Sequence, residues 1–290
     1  MYYFKKLRIS TAELVAVLLL VLMPALSAHA AFVDYQRTVV VSAVGPTAVA
    51  NGAALIAGLS SITGGFPAPS STDRYLLKLE PGIYDVGVTS LQIPSYVDIE
   101  GSGEGVTLVR GIAENAFSAG TGVISVSENS AVRHLSVENN VDSNLADSAA
   151  LILEGGSQAH HVTATATGNF DLNRALLVWD TIGTTVAKGS NLTVNAAARA
   201  VHVFFPGFEA ENVVANGAQA LFVSSGNVFI RNSRFIGSDF SMLVANLSET
   251  VDLVTTQLAG DVSCTSNNCR CFHSYDANLR KLRRRCRTRN

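Results

Sequence analysis

The residues best suited to chemistry are charged side chains that recur in one part of the chain. Asp171 and Asp180 flank a short apolar segment that begins after Arg174, and Arg199 occupies the same place in the next repeat. Two carboxylates across a groove would serve a glycoside hydrolase, whereas an arginine base beside calcium-holding carboxylates would serve a β-elimination. We therefore predict Asp171, Arg174, Asp180 and Arg199 as catalytic candidates.

A structural role for these residues is the alternative. Arg174 and Arg199 would stack about 5 Å apart, which is the spacing of neighbouring strands. They would then pair with turn carboxylates on a solvated corner, where ion pairs contribute little to stability. Glu154 and His202 belong to the same neighbourhood.

Aromatic residues form a second candidate site beside the first. Trp179 and Phe204 should stack on adjacent repeats, next to His202 and Phe222. Aromatic platforms bind the apolar faces of sugars, so we predict Trp179, His202, Phe204 and Phe222 as ligand-binding residues. A contiguous apolar stripe also marks interfaces, and in the alternative the C-terminal tail or a second subunit of a homo-oligomer covers it.

These residues are positioned by short strands that repeat along the chain. Aligned segments begin at Ala150, Ala175, Ala200, Ala220 and Ser241, with spacings of 25, 25, 20 and 21 residues. A second strand recurs in each repeat and begins at His134, His161, Asn191, Asn212, Arg234 and Gln257. Periods of this length indicate a solenoid, in which one coil cannot bury its apolar face alone.

Side-chain alternation divides the first set of strands into two faces, because residues two apart point the same way. The predicted interior stack comprises Leu151, Leu153, Leu176, Val178, Val201, Val203, Leu221, Val223, Met242 and Val244. The predicted outer face comprises Ile152, Leu177, His202, Phe222 and Leu243, with Glu154, Trp179, Phe204, Ser224 and Ala245 beside them. This face is unusually apolar for an exterior.

The first coils are predicted between Tyr75 and Gly111, where short apolar strands alternate with Pro–Gly and Gly–Ser–Gly turns. Upstream, residues 38–43 suit a strand and residues 51–62 show a helical apolar face, with Asn51 as the expected N-cap. We predict that this helix covers the open end of the solenoid, whose strand edges would otherwise recruit other chains. Residues 31–73 are thus a strand and capping helix, and residues 74–262 the β-helix.

The apolar strand, the PGIY turn and the VDIEGSGEGVTLVRG segment between Tyr75 and Gly111 resemble the pectin lyase-like superfamily, with a beginning similar to that of pectinesterases. The resemblance implies an all-β fold, a right-handed single-stranded parallel β-helix. That superfamily includes lyases, hydrolases, esterases and non-catalytic surface proteins, so the fold leaves function open.

The catalytic motifs of that superfamily are mostly absent from the sequence. It lacks GxxDFxFG and QDT of the esterases, the NTD, DD and GHG series of the polygalacturonases, and RxPxxR of the pectate lyases. The segment from Leu176 to Asp180 is similar to the strand-end WxD of some pectate lyases, but it lacks the following His.

Composition indicates a folded chain with an acidic body. Hydrophobic residues make up 48% and charged residues 15% of the chain. The net charge is −2, but residues 1–30 carry about +2 and residues 270–290 about +7, so residues 31–269 carry about −11. An acidic body of this kind disfavours binding to nucleic acid. It also disfavours binding to other anionic polymers unless a cation bridges the two negative surfaces.

Residues 1–30 have the form of a signal peptide. Lys5, Lys6 and Arg8 precede an apolar run from Leu14 to Leu26, and Ala28-His29-Ala30 follows. The run is shorter than the roughly 20 residues that span a bilayer. We therefore predict a secreted, periplasmic or cell-surface protein.

The cysteines lie together near the C-terminus, within a predicted basic tail of residues 263–290. In an exported protein, Cys264, Cys269, Cys271 and Cys286 favour two disulfides, with three connectivities open. The arginine-rich run from Leu279 has three interpretations: a basic arm that binds anionic envelope polymers, a covering strand that returns over the acidic body, or a frameshifted end without a selected function. His134, His160 and His161 lack a third ligand at a recognisable spacing, so we expect corner roles and no metal.

The sequence thus predicts a secreted or envelope β-helix without a recognisable catalytic motif. Its expected function is to bind a polysaccharide or cell-surface glycan, or to serve in a surface structure. The alternative is a polysaccharide-acting enzyme, either a pectate lyase-like lyase or a glycoside hydrolase. No cofactor is expected, and calcium would be needed only by a lyase.

Overall fold

The computed structural model describes residues 35–65, 67–114, 122–141, 147–167, 173–179, 185–204, 207–246, 249–264, 269–282 and 286. The predicted signal peptide lies outside these residues. Their one α-helix is α1 (Ala48–Thr63). The strands are β1 (Arg37–Val41), β2 (Tyr75–Leu79), β3 (Gly82–Asp85), β4 (Leu91–Ile93), β5 (Val97–Glu100), β6 (Thr107–Gly111), β7 (Ile124–Val126), β8 (Ala131–Asn139), β9 (Ser148–Leu153), β10 (Gln158–Ala166), β11 (Asn173–Val178), β12 (Ala187–Ala196), β13 (Arg199–Val203), β14 (Gly207–Val223), β15 (Asn227–Arg231), β16 (Arg234–Val244), β17 (Val251–Val254), β18 (Gln257–Cys264), β19 (Cys269–Phe272) and β20 (Tyr275–Asp276). Within the described ranges, no helix is both long and apolar enough to cross a membrane.

The strands wind into a right-handed parallel β-helix, as predicted, and the helix has three faces. Sheet A contains β1, β2, β5, β15, β17, β19 and the first residues of β8, β10, β12 and β14. Sheet B contains β3, β6, β20, the later parts of β8, β10 and β12, the middle of β14 and the starts of β16 and β18. Sheet C contains β4, β7, β9, β11, β13 and the ends of β14, β16 and β18.

The predicted register of sheet C is confirmed. Leu176 pairs with Leu151 on one side and with Val201 on the other, and the ladder continues through Leu221 to Met242. All the residues predicted for the interior stack lie in the main apolar core. Burial of these apolar side chains against the neighbouring coils is what stabilises strands this short.

A repeated left-handed corner joins sheet A to sheet B. Its residues have φ between 48° and 57°: His134, His161, Asn191, Asn212, Asn232, Thr255 and His273. Asparagine adopts this conformation more readily than most residues. Side chains at the corner also bond from coil to coil, since Asn212 Nδ2 donates to Asn191 Oδ1 over 3.0 Å.

The predicted register of the second strand is wrong at one step. Asn212 was expected beside Arg234, but the structure pairs Val214 with Arg234, which brings Asn212 level with Asn232. The error is two residues. Because the side-chain period of a strand is two, such a shift leaves every residue on its expected face and the apolar pattern cannot detect it.

Helix α1 packs on β1, β2 and β3 at the first coils, with Leu55, Leu59 and Ile62 buried. The expected N-cap at Asn51 is wrong. Thr47 caps the helix, with extended backbone and a side chain that accepts from Ala50 N over 3.1 Å. The side chain of Asn51 makes tertiary contacts instead, because it accepts from Gly45 N and donates to Ile83 O.

The C-terminal end is closed by two disulfides, Cys264–Cys269 and Cys271–Cys286. Leu282 and Cys286 both lie in the arginine-rich run, and both are buried in the main core. Leu282 N donates to Ser274 O over 2.9 Å, so this part of the run folds back on the last coil. These two residues of the run therefore cover the last coil.

Candidate functional site

The outer face of sheet C carries three columns of side chains that run along the solenoid. Column 1 is Arg174, Arg199, Gln219 and Phe240; column 2 is Ile152, Leu177, His202, Phe222 and Leu243. Column 3 is Glu154, Trp179, Phe204, Ser224 and Ala245, which directly follow the paired strands. The strand ladder therefore brings the described candidate residues of both predicted sites to one surface.

Arg174 is fully buried on this surface. Strict alternation would place it on the same side as Leu176, but the ladder leaves out Ala175, which is buried in the core. The interruption turns Arg174 outward. It donates from Nε to His202 Nδ1 over 2.7 Å and from Nη2 to Asp147 Oδ1 over 3.3 Å. The expected solvated corner is therefore wrong for this residue.

Burial lowers the pKa of Arg174 to about 10, against the opposing effect of the Asp147 carboxylate. The guanidinium stays charged at neutral pH. A buried cation of this kind needs partners for its charge and its N–H groups, and Asp147 and His202 supply them.

His202 is 2% exposed and lies between Arg174 and Ser224. Its Nε2 is 2.5 Å from Ser224 Oγ. Since arginine can only donate, Nδ1 of His202 must accept, and the single proton of the neutral ring lies on Nε2. Burial, and then the charges of Arg174 and Arg199, hold the pKa of His202 well below its usual value, so the neutral form persists.

This proton arrangement decides what Ser224 can do. A serine nucleophile needs an unprotonated ring nitrogen to take its proton. The nitrogen of His202 that faces Ser224 Oγ already carries the proton and donates it. His202 therefore fixes the Ser224 hydroxyl by donating to its oxygen, and the O–H of Ser224 remains available to donate to another acceptor.

Trp179 and Phe204 stack with their ring centroids 4.7 Å apart and their planes 23° apart. Phe204 also meets the edge of His202 at 6.0 Å. Phe222 meets His202 at 4.8 Å. The four predicted ligand-binding residues therefore lie together, with Trp179, Phe204 and Phe222 half-buried.

Arg199 is in register with Arg174 but has different partners. Its Nε donates to Gln219 Oε1 over 3.0 Å, and its guanidinium lies 4.2 Å from the centroid of the Phe222 ring. Arg199 is half-buried, so of the two column 1 arginines it is the one within reach of a solvent-borne ligand.

The apolar stripe of column 2 is only partly open. Ile152 and Leu177 are fully buried, and they form a second apolar cluster against which Trp179 and Phe204 pack. Within the single chain, the expected exposed stripe is thus reduced to Phe222 and Leu243, both half-buried.

Two catalytic candidates, Asp171 and Asp180, lie outside the described residues. The sequence interpretation missed Asp147 and Gln219 as partners, and it did not assign a role to Ser224. The register offered a signal for two of them, since Gln219 follows Arg199 in column 1 and Ser224 follows Phe204 in column 3. Asp147 lies in a loop, where strand periodicity gives no guidance.

Among the described residues, no group of three or more His, Cys, Asp or Glu side chains is placed to hold a metal. His134 and His161 stack at 4.9 Å as neighbours on the left-handed corner. His160 lies on sheet A, with Nδ1 2.6 Å from Ser190 Oγ and Nε2 3.0 Å from Gln158 Oε1.

A scan against protein-family models and a search of curated protein sequences find no match. Solved structures do match along most of the chain. Pectin methylesterase PemA from Erwinia chrysanthemi is 10% identical with a TM-score of 0.59, and the match covers 89% of this chain and 94% of that chain. Pectin methylesterase from Yersinia enterocolitica is 10% identical, with a TM-score of 0.54 and coverage of 79% and 93%. That from Aspergillus niger is 14% identical, with a TM-score of 0.52 and coverage of 84% and 84%. These similarities show the pectin lyase-like β-helix fold, as the first coils predicted.

Proposed function

We propose that the protein is an exported β-helix that binds a saccharide chain on columns 2 and 3 of sheet C without transforming it. The observation that carries the proposal is the stacked pair of Trp179 and Phe204 beside the Ser224 hydroxyl. A sugar has an apolar C–H face and a rim of hydroxyls, and this surface offers a partner for each.

The stack suggests where a sugar ring would lie. Trp179 covers one face of Phe204 from the preceding coil. In column 3 the next two coils carry Ser224 and Ala245, whose side chains are small. The other face of Phe204 therefore has only small side chains next to it in column 3. A sugar ring stacked on that face would have the Ser224 hydroxyl at its edge.

The hydrogen-bond chain behind Ser224 supports binding over turnover. Asp147 holds Arg174, Arg174 fixes the tautomer of His202, and His202 donates to Ser224. The Ser224 O–H is then oriented to donate to a ligand oxygen. A prepositioned donor of this kind costs little entropy when the ligand binds.

Glycan-array binding with matched variants tests the proposal. We expect Trp179→Ala and Phe204→Ala each to weaken binding roughly 3- to 10-fold, because each removes part of the stacking surface. Tyr275→Ala removes an exposed aromatic side chain from sheet B and should leave binding unchanged. Unchanged binding in both column 3 variants would refute the proposal.

A polysaccharide-acting enzyme is the second candidate. It is favoured by the names of the structural neighbours, which are pectin methylesterases, and by the half-buried Arg199 beside Phe222. The test is release of unsaturated ends, reducing ends or methanol from a polysaccharide panel, with and without calcium. Activity that is lost in Arg199→Ala and in Asp180→Ala would establish this candidate in place of simple binding.

Export is part of the proposal. Its support is the signal-like sequence of residues 1–30 together with the two disulfides, which form in oxidising compartments. A tagged chain found in the medium, the periplasm or at the cell surface, shortened near Ala30, would support it. Retention of the full-length chain in the cytosol would count against it.

A further inference from the structure

A groove crosses the outer face of sheet A, a different face of the solenoid from the columns of sheet C. It consists of two adjoining cavities of about 350 and 250 Å³. Glu209 and Phe229 line both cavities. The first cavity is completed by His160, Lys188, Ser190 and Arg231, among others.

Most charged side chains on this face are paired with a neighbour from the next coil. Arg231 bonds Glu211 over 2.6 Å, and Arg270 bonds Asp252 over 2.5 Å. Glu211 and Arg231 line the first cavity, and Asp252 lines the second. In each pair the two opposite charges neutralise one another.

Lys188 and Glu209 depart from this pattern. They are in register on neighbouring strands, yet they form no ion pair with each other. Among the described residues, neither side chain has a hydrogen-bond or ion-pair partner. The groove therefore presents one free ammonium group and one free carboxylate, both solvent-exposed.

Phe229 supplies the apolar part of the groove. It is 42% exposed and lies in register between Glu209 and Asp252. Strands one coil apart are separated by about 4.8 Å, so the Phe229 ring and the Glu209 carboxylate can contact the same small ligand.

His160 contributes polarity without charge. Its Nε2 donates to Gln158 Oε1, so Nδ1 is left to accept from Ser190. Burial, and then the charge of Arg133, lower the pKa of His160 and keep the ring neutral.

We propose that this groove binds a neutral pyranose sugar, with the C–H face of the ring on Phe229, a pair of ring hydroxyls donating to Glu209 and a third hydroxyl accepting from Lys188. A sugar hydroxyl both donates and accepts, which matches a site that offers a lone acceptor and a lone donor. The aromatic ring of Phe229 lies beside them and would pack against the apolar C–H face of the sugar.

The two charges of the groove give an ionic sugar no net advantage over a neutral one. A uronate would be attracted by Lys188 and repelled by Glu209, and an amino sugar would meet the reverse. A zwitterion without an apolar side chain, such as glycine, would satisfy both charges but would leave the ring surface of Phe229 unused. The site is independent of the proposed site on sheet C.

Saturation-transfer difference NMR on the intact protein, with methyl glycosides of glucose, galactose and mannose as probes, tests the proposal. Transfer to the ring C–H protons is expected with wild-type protein. Phe229→Ala should weaken the affinity roughly 3- to 10-fold. Glu209→Gln should weaken it as well, since the amide has one acceptor oxygen in place of two.

These measurements are made in a Phe204→Ala background, which removes part of the proposed stacking surface on sheet C. Tyr275→Ala in the same background is the matched control, because it removes an exposed aromatic side chain from sheet B. If the glycosides bind the background variant, and Phe229→Ala weakens that binding while Tyr275→Ala does not, the groove on sheet A is the site. If the background variant no longer binds the glycosides, the proposal is wrong and the sheet C function stands. Absence of transfer from every glycoside, or tighter binding of glycine or lysine than of the glycosides, also overturns it. Phe229 and Glu209 are both exposed, so neither change should disturb folding.

Discussion

Arg174 and Arg199 occupy the same register on adjacent coils, yet one is fully buried against Asp147 and His202 and the other lies half-buried over Phe222. Identical residues one coil apart therefore face different electrostatic environments. The difference arises because the Asp147 carboxylate and His202 Nδ1 both bond Arg174, whereas Arg199 bonds Gln219 and lies over Phe222.

This contrast gives a matched pair of stability predictions. Arg174→Met should lower the free energy of unfolding by about 3 kcal/mol, because the Asp147 carboxylate and His202 Nδ1 lose their partner in a buried setting. Arg199→Met should lower it by about 1 kcal/mol, since the hydrogen bond of Arg199 to Gln219 and its cation–π contact with Phe222 are partly solvated. Urea unfolding of the two variants measures both values. An equal loss of unfolding free energy in the two variants would contradict the conclusion that Arg174 is the more deeply buried of the two arginines.

His202 predicts a loss of stability at mildly acidic pH. Its pKa is lowered on folding, so the unfolded chain binds a proton at this site more readily than the folded protein does. The stabilisation is complete above the unfolded pKa of about 6.5 and is lost as the pH falls below it, by up to about 1.4 kcal/mol per pH unit. His202→Gln keeps an acceptor for Arg174 and a donor for Ser224 but does not titrate. Thermal unfolding between pH 7.5 and pH 5 should show a shallower slope in this variant, and an identical slope would refute the prediction.

Thr255 predicts a stabilising substitution. It has a β-branched side chain in the left-handed corner, with φ of 48°, a conformation that is costly for such residues. Thr255→Asn should raise the free energy of unfolding by about 1 kcal/mol, since asparagine tolerates the conformation and its Nδ2 can donate to Asn232 Oδ1 in place of the Thr255 hydroxyl. Thr193→Asn is the control, because Thr193 lies in ordinary strand conformation within β12, where a β-branched residue is preferred. A gain in both variants, or in neither, would contradict the explanation.

The two disulfides should contribute unequally. Cys271–Cys286 spans 15 residues and Cys264–Cys269 spans 5. The loop-entropy relation then gives about 3 kcal/mol for the first and about 2 kcal/mol for the second. Paired Cys→Ala variants, compared by thermal unfolding, measure the difference. Removing Cys271–Cys286 should also speed trypsin cleavage after Arg280 and Lys281, because the buried Leu282 would then be the remaining anchor among the described residues of the run. An unchanged cleavage rate would contradict this role of the disulfide.

The sequence was sufficient to predict the solenoid, because its evidence is periodic. Register, inward faces and the apolar core of sheet C follow from the spacing of segments such as Ala175–Val178 and from alternation within them. The same periodicity cannot detect a shift of two residues, because such a shift leaves the inward and outward faces unchanged. For this reason the pattern aligns Arg234 with Asn212. The corner residue Asn232 marks the true alignment, but a polar residue in a turn carries no weight in an apolar pattern.

The site was less predictable, because its partners come from distant parts of the chain. Arg174 bonds Asp147, 27 residues earlier, and His202, 28 residues later. Its outward direction depends on the interruption of the ladder at Ala175, which alternation alone does not foresee. The N-cap at Thr47 was missed for a similar reason, since the side chain of Asn51 is committed to Gly45 and Ile83 and cannot cap the helix.

The left-handed corner has a consequence for how the chain tolerates insertions and deletions. Losing one residue from a strand reverses inside and outside for the rest of that strand. Here the chain meets the same backbone conformation once per coil, from His134 to His273. Each corner fixes again which of the following side chains point inward. A one-residue insertion or deletion in one coil therefore reverses the side-chain directions in that coil only and not in the rest of the solenoid.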